Sequence, residues 1–203
     1  LPQRRASESG LAAGLGGGSA DAAAALRLMA SLGEAEIGFA ELSEVALSLG
    51  AYVPACLVSR PCEMRGVGEI IHQLHTFPAS HIVLVNPLQP VITADVFRRL
   101  QSRTNPPLPP LPQPLTRPAQ LGLWLGETRN DLEPPAIALV PVIGDLIADL
   151  GRFDGCILAR MSGSGATVFG LFGSAAKAHQ AAHDLRDTHP GFWVAAAPVL
   201  APG

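Results

Sequence analysis

Two glycine-rich stretches hold the residues best suited to chemistry. GLGGGSAD (Gly14–Asp21) places four glycines in five positions directly before a run of strong helix formers. Glycine admits φ > 0 and leaves no Cβ between backbone and ligand. The helix that follows offers unpaired N–H groups and the positive end of its dipole, a combination suited to a phosphate. Ser19 reads as the N-cap, with a hydroxyl that also reaches a phosphate or a metal, and Asp21 reads as a first-turn acid. No Lys-Ser/Thr follows the glycines, so the loop is not of the P-loop type, and a dinucleotide fingerprint is absent in the right register. A flexible lead-in to an alanine-rich helix is the alternative reading.

The second stretch, MSGSGATVFGLF (Met161–Phe172), joins two predicted strands. Ser162, Gly163, Ser164 and Gly165 suit a backbone nest for an anion, with Ser162 and Ser164 as hydroxyl donors; a plain tight turn is the alternative. Together the two loops point to a polyphosphate gripped from two sides. Other candidates carry less. His179 and His183 are four apart on a predicted helix, but no third ligand lies nearby in sequence, so a solvated face is the better reading. His72 and His75 are read the same way. Cys56 and Cys62 are read as buried thiols rather than a redox pair.

Composition bounds the partners. The 203 residues are 48% hydrophobic and 15% charged, which excludes a self-repelling disordered chain. A net charge of −3 argues against nucleic acid as a partner, and the 14 basic residues include a single lysine, Lys177. No apolar run reaches the ~18 residues of a membrane span, and no leader pattern is visible. The three cysteines, Cys56, Cys62 and Cys156, are odd in number and outside zinc spacing, which fits a reducing cytoplasm.

The elements that must position the loops follow from periodicity. Residues 19–32 predict a helix stopped by Gly33, and residues 37–49 a second one stopped by Gly50. Tyr52–Val58 reads as a short apolar strand, and residues 81–87 as a buried one. NPPLPPLPQPLTRP (105–118) holds seven prolines and reads as an extended linker. Glu133-Pro134-Pro135 opens a helix that Pro141 should kink. Two strands flank the second glycine turn, Ser174 caps a helix to about Leu185, and a last strand covers 192–197. Strands and helices mix without a βαβ repeat, which indicates α+β.

Read in order, LAAGLGGGSADAAAAL, GAYVPACLVSRPCEMRGVGE, HIVLVNPLQPVITADVFRRL, NDLEPPAI and ARMSGSGATVFGLF resemble the GHMP small-molecule kinases. The resemblance runs from about Leu11 to the C-terminus. It is nearest to the branch that acts on 4-diphosphocytidyl-2-C-methyl-D-erythritol in the non-mevalonate isoprenoid route. It implies a two-domain α+β fold, divided here as 1–76 (remainder of the N-terminal, ATP-binding domain) and 77–203 (C-terminal domain). It also implies ATP and Mg²⁺, with transfer of a phosphoryl group to a hydroxyl of that cytidine-diphosphate-linked substrate. The implied phosphate-binding residues are Ala12, Ala13, Gly14, Leu15, Gly16, Gly17, Gly18, Ser19 and Ala20. Ser162, Gly163, Ser164 and Gly165 form the implied third-motif loop, and Asn130 and Asp131 match a recurrent Asn-Asp-Leu read as site-shaping.

Two departures from the family pattern matter. The family's catalytic aspartate stands in a Gly-Ala-Asp-Val-Pro stretch, and here that stretch is Gly50-Ala51-Tyr52-Val53-Pro54. Tyr52 therefore occupies the position of the base, and a phenol with a pKa of about 10 is a poor proton acceptor at neutral pH. The strands and the lysine that precede the glycine loop in the family have no counterpart in this sequence, so an N-terminally incomplete copy is expected. A nucleotide-binding pseudokinase and a non-functional fragment stay open as alternatives.

Overall fold

The computed structural model describes residues 14–33 and 37–200, which form two compact units. One spans Gly16–Phe77; the other spans Pro78–Leu200 together with Gly14 and Leu15.

The first unit is helical with one hairpin. Helix α1 (Gly17–Leu32) follows Gly16, whose left-handed conformation (φ 69°) turns the chain into the helix. Helix α2 covers Phe39–Leu49 and ends at Gly50. The next segment corrects the sequence reading. Tyr52–Val58 is not a strand; Val53–Val58 forms a short helix, α3, entered from Tyr52. Pro54 explains the outcome, because its ring sets φ for a first helical turn and it has no N–H for a sheet ladder. Val53 and Leu57, four apart, are then buried on one face. They pack with Ala23 and Ala46 as a small core in which alanine lets the helix backbones approach closely. The Arg27 guanidinium donates to the Cys56 carbonyl at 2.9 Å, closing the C-terminal end of α3 from α1. A hairpin that periodicity did not reveal, β1 (Cys62–Arg65) with β2 (Ile70–Gln73), completes the unit.

The second unit is a four-stranded antiparallel sheet backed by helices. Its strands are β3 (Ser80–Asn86), β4 (Cys156–Met161), β5 (Val168–Phe172) and β6 (Trp193–Val199), in the order β4-β5-β3-β6. Between β3 and β4 run α4 (Thr93–Arg98), α5 (Pro118–Gly126), α6 (Glu133–Leu139) and α7 (Val142–Arg152); α8 (Ala175–Thr188) lies between β5 and β6. Val83 and Val85, two apart on β3, face the core. They meet Ile143, Leu146 and Leu150 of α7 and Ala178, Ala181, Ala182 and Leu185 of α8, each set at three- and four-residue spacing. The expected kink at Pro141 is a full break: α6 and α7 are bent by 119°.

The proline-rich segment runs as an irregular connection between α4 and α5, and 105–118 lies wholly inside the second unit. Its carbonyls, unpaired in an extended proline-rich backbone, are taken up by side chains: Trp124 Nε1 donates to Pro109 at 3.2 Å and the Arg129 guanidinium to Pro106. Leu115 is buried at its end. No single helix among the described residues is long and apolar enough to cross a membrane.

Candidate functional site

The N-cap of α1 lies three residues earlier than the sequence suggests. Gly16, not Ser19, is the N-cap, and Ser19 is the third residue of the helix. Asp21 accordingly lies beyond the first turn, which contains no acidic residue. The Ala20 N–H returns to the Gly16 carbonyl at 2.9 Å. The N–H groups of Gly17, Gly18 and Ser19 therefore emerge from the helix end, and no side chain caps them among the described residues. Among the described residues, a Cβ built on Gly16, Gly17 or Gly18 would meet no atom within 4 Å. Packing does not demand glycine at 17 and 18, where it lowers helix stability. Leu15, Gly16, Gly17, Gly18 and Ala20 are all exposed. Ala12 and Ala13 lie outside the described residues.

The second glycine turn connects β4 to β5, with Gly163 and Gly165 at positive φ (55° and 90°). Three side chains brace it. Asn130 Nδ2 donates to both the Met161 carbonyl (3.1 Å) and the Gly163 carbonyl (2.8 Å). Its Oδ1 accepts from the Leu132 N–H, the Asx turn that opens α6. Glu133 accepts the Met161 N–H at 2.9 Å. Thr93, at the start of α4, shares a 2.9 Å hydrogen bond with the Ser164 hydroxyl.

Ser162 does not stand free as an anion donor. Its hydroxyl donates to the Gly14 carbonyl at 2.7 Å, so its one proton is already engaged. Gly14 itself (φ 68°) packs so closely that a Cβ there would lie 2.5 Å from the Ser162 carbonyl oxygen and 2.9 Å from that of Gly165. Here glycine is required both by conformation and by space. Gly14 is thus brought against the Ser162–Gly165 turn within one compact unit.

Tyr52 is 56% exposed and its hydroxyl has no partner among the described residues. Asp131 forms an ion pair with Arg129 at 2.8 Å. A cavity of about 650 Å³ opens beside this pair, lined in part by Arg99, Arg129, Asn130 and Asp131. Lys177 pairs with Asp154 at 3.1 Å on the surface. All three cysteines are free. Burial raises the thiol pKa of Cys156 and of Cys62, the latter helped by the neighbouring Cys56. Among the described residues no group of three or more His, Cys, Asp or Glu is placed to hold a metal ion. Sequence reasoning missed Thr93 and Glu133; neither carries a local signal, because each acts across a long chain separation.

Residues 115–191 match the family described as GHMP kinases C terminal. The 4-diphosphocytidyl-2-C-methyl-D-erythritol kinase of Chelativorans sp. (strain BNC1) is 47% identical over 186 residues, covering 92% of this chain and 63% of that protein. Its counterpart in Paracoccus denitrificans (strain Pd 1222) is 52% identical over 188 residues, covering 92% and 64%. A solved 4-(cytidine 5'-diphospho)-2C-methyl-D-erythritol kinase matches with a TM-score of 0.70 at 33% identity, covering 91% of this chain and 66% of that one. A homoserine kinase from Cytophaga hutchinsonii reaches a TM-score of 0.69 at 18% identity, a likeness of fold alone. The chain spans 63% of the length of the first of these relatives. With residues 115–191 of its second unit matched directly and its α+β architecture shared with a solved member, the chain carries the C-terminal domain of the GHMP kinases.

Proposed function

We propose that this chain binds the phosphates of ATP at the start of α1 and serves phosphoryl transfer to a hydroxyl of 4-diphosphocytidyl-2-C-methyl-D-erythritol. The observation that carries the reading is the N-terminus of α1. Among the described residues, three uncapped N–H groups and the helix dipole meet open space over Gly17 and Gly18, where a Cβ would touch nothing. Glycines that no packing requires are accounted for by a ligand that approaches the backbone. The substrate class rests on the names of the relatives, which are 46–48% identical in several cases.

In this reaction the substrate hydroxyl oxygen bonds to the γ-phosphorus, the bond from that phosphorus to the β,γ-bridging oxygen breaks, ADP leaves, and the hydroxyl proton passes to solvent water. Positioning and charge stabilisation supply most of the rate in phosphoryl transfer, which suits a backbone-rich loop. Ser19 is the hydroxyl this loop would offer to a Mg²⁺ ion carried with the nucleotide, which would neutralise phosphate charge. The free thiols fit a cytoplasmic setting.

Tyr52 favours a second reading, nucleotide binding with little turnover. By the family pattern it stands where an aspartate would accept the hydroxyl proton, and loss of a general base costs about 10²–10⁴-fold. The test is a thermal-shift titration with Mg·ATP and a phosphorylation assay on the unmodified chain and on Tyr52→Asp. Binding by both and a gain of about 10²–10⁴-fold in turnover for Tyr52→Asp are expected. Rapid turnover by the unmodified chain would overturn the role given to Tyr52, and absence of ATP binding would overturn both readings.

A further inference from the structure

We propose that Asn130 is a positioning residue for the glycine loop, acting through the Ser162–Gly165 turn and the Ser162 hydroxyl; this rests on the ATP-binding reading above. The argument is one of saturated donors. Asn130 has two N–H donors on Nδ2, and they go to the carbonyls of Met161 and Gly163. Its Oδ1 is held by the Leu132 N–H at 3.1 Å, which fixes the amide's orientation against the start of α6. Ser162 has one donor, and it goes to the Gly14 carbonyl. Neither side chain has a proton left for a nucleotide.

Their geometry does something else. Asn130 clamps the turn on both sides of Ser162, at residues 161 and 163, and so sets the direction of the Ser162 hydroxyl. Glu133 reinforces the same strand end by accepting the Met161 N–H. The hydroxyl then fixes the Gly14 carbonyl, two residues before the N-cap of α1. The glycine-only fit of Gly14 against the Ser162 and Gly165 carbonyls leaves that position little latitude. A loop of exposed glycines has many conformations to lose on binding. Holding its entry before the ligand arrives reduces that loss and raises affinity.

The experiment uses the full chain and four variants: Asn130→Asp, which sets an acceptor against the two carbonyls; Asn130→Ala; Ser162→Ala; and Ser162→Thr, which keeps the hydroxyl. Two quantities are read at a temperature well below every variant's melting point: the Kd for Mg·ATP, and amide hydrogen exchange of residues 14–20 without nucleotide. Ser162→Ala and Asn130→Ala should weaken ATP binding about five- to tenfold, one net hydrogen bond's worth. Both should also speed exchange at 14–20 in the free protein, Asn130→Asp should do so more strongly, and Ser162→Thr should restore both. Unchanged Kd in Ser162→Ala and Asn130→Ala would overturn the proposal. So would weaker binding with unchanged exchange in the free protein, which would mean direct contact with the nucleotide. If the Asn130 variants do not fold, the Ser162 pair decides by the same criteria. An unmodified chain that binds no ATP overturns the ATP-binding reading and this one with it, whereas a binding chain with silent variants overturns this one alone.

Discussion

The Asn86 side-chain amide donates to the Thr167 hydroxyl at 2.8 Å, joining the end of β3 to the entry of β5 across 81 residues. Both residues are buried, Thr167 fully, and Asn86 Oδ1 also accepts the Leu88 N–H at 2.7 Å. Replacing the hydroxyl leaves a buried amide donor unsatisfied. Thr167→Val is therefore expected to destabilise the protein by about 1–3 kcal/mol despite conserving shape, measured as a shift in urea midpoint.

Gly14 and Gly17 should respond in opposite ways to the same substitution. Gly14→Ala puts a Cβ 2.5 Å from a backbone carbonyl at φ 68°, and the left-handed conformation alone costs a non-glycine residue about 1–2 kcal/mol. A loss of at least that size is expected. Gly17→Ala meets nothing within 4 Å, so stability should hold or rise by up to about 1 kcal/mol while Mg·ATP binding weakens. Urea titration and a thermal-shift titration on both variants check this. Unaltered ATP binding in Gly17→Ala would remove the main support for a phosphate at the helix start.

Cys156 gives a pH dependence. Burial raises its thiol above the ordinary value, about 8.5. Above that pH the unfolded chain sheds the proton while the folded chain keeps it, so stability falls as pH rises. The contribution is complete below about pH 8.5 and is lost as pH climbs through the folded-state value. Urea midpoints between about pH 7.5 and 10 should fall more steeply for the unmodified chain than for Cys156→Ala, and equal slopes would contradict the assignment.

Gly170, in the middle of β5, faces α7 at close range. A Cβ there would lie 2.8 Å from Leu150 Cγ and 3.1 Å from Phe172 Cε2. Gly170→Ala should overpack this layer and cost about 1–3 kcal/mol, with Leu150→Val in the same chain recovering part of it. A double-mutant cycle in urea measures the coupling.

The two glycine stretches stand out in the sequence because their composition is local: four glycines in five positions need no knowledge of the fold. Helices α7 and α8 are equally plain, since Ile143, Leu146 and Leu150 repeat at helical spacing. Tyr52–Val58 misleads because six or seven apolar residues fit either period, and Pro54 decides for helix. The hairpin at 62–73 alternates too weakly to be seen, its residues being half-exposed on both faces. What composition hides most completely is the brace on the second turn. Asn130 reaches residues 31 and 33 positions away, and Ser162 reaches one 148 away. Such partners are fixed by topology, and no local pattern encodes them.

That separation of 148 residues between Gly14 and Ser162 has a consequence for biosynthesis. At a translation rate of roughly 5–20 residues per second, Ser162 is made about 7–30 s after Gly14. During that interval the glycine stretch has emerged without the partner that fixes its entry, while α1 has all of its own backbone partners and can form at once. The entry of the glycine stretch is therefore fixed only once β4 and the turn after it have been made, and under the proposed ATP-binding role a nucleotide met earlier finds an untethered loop.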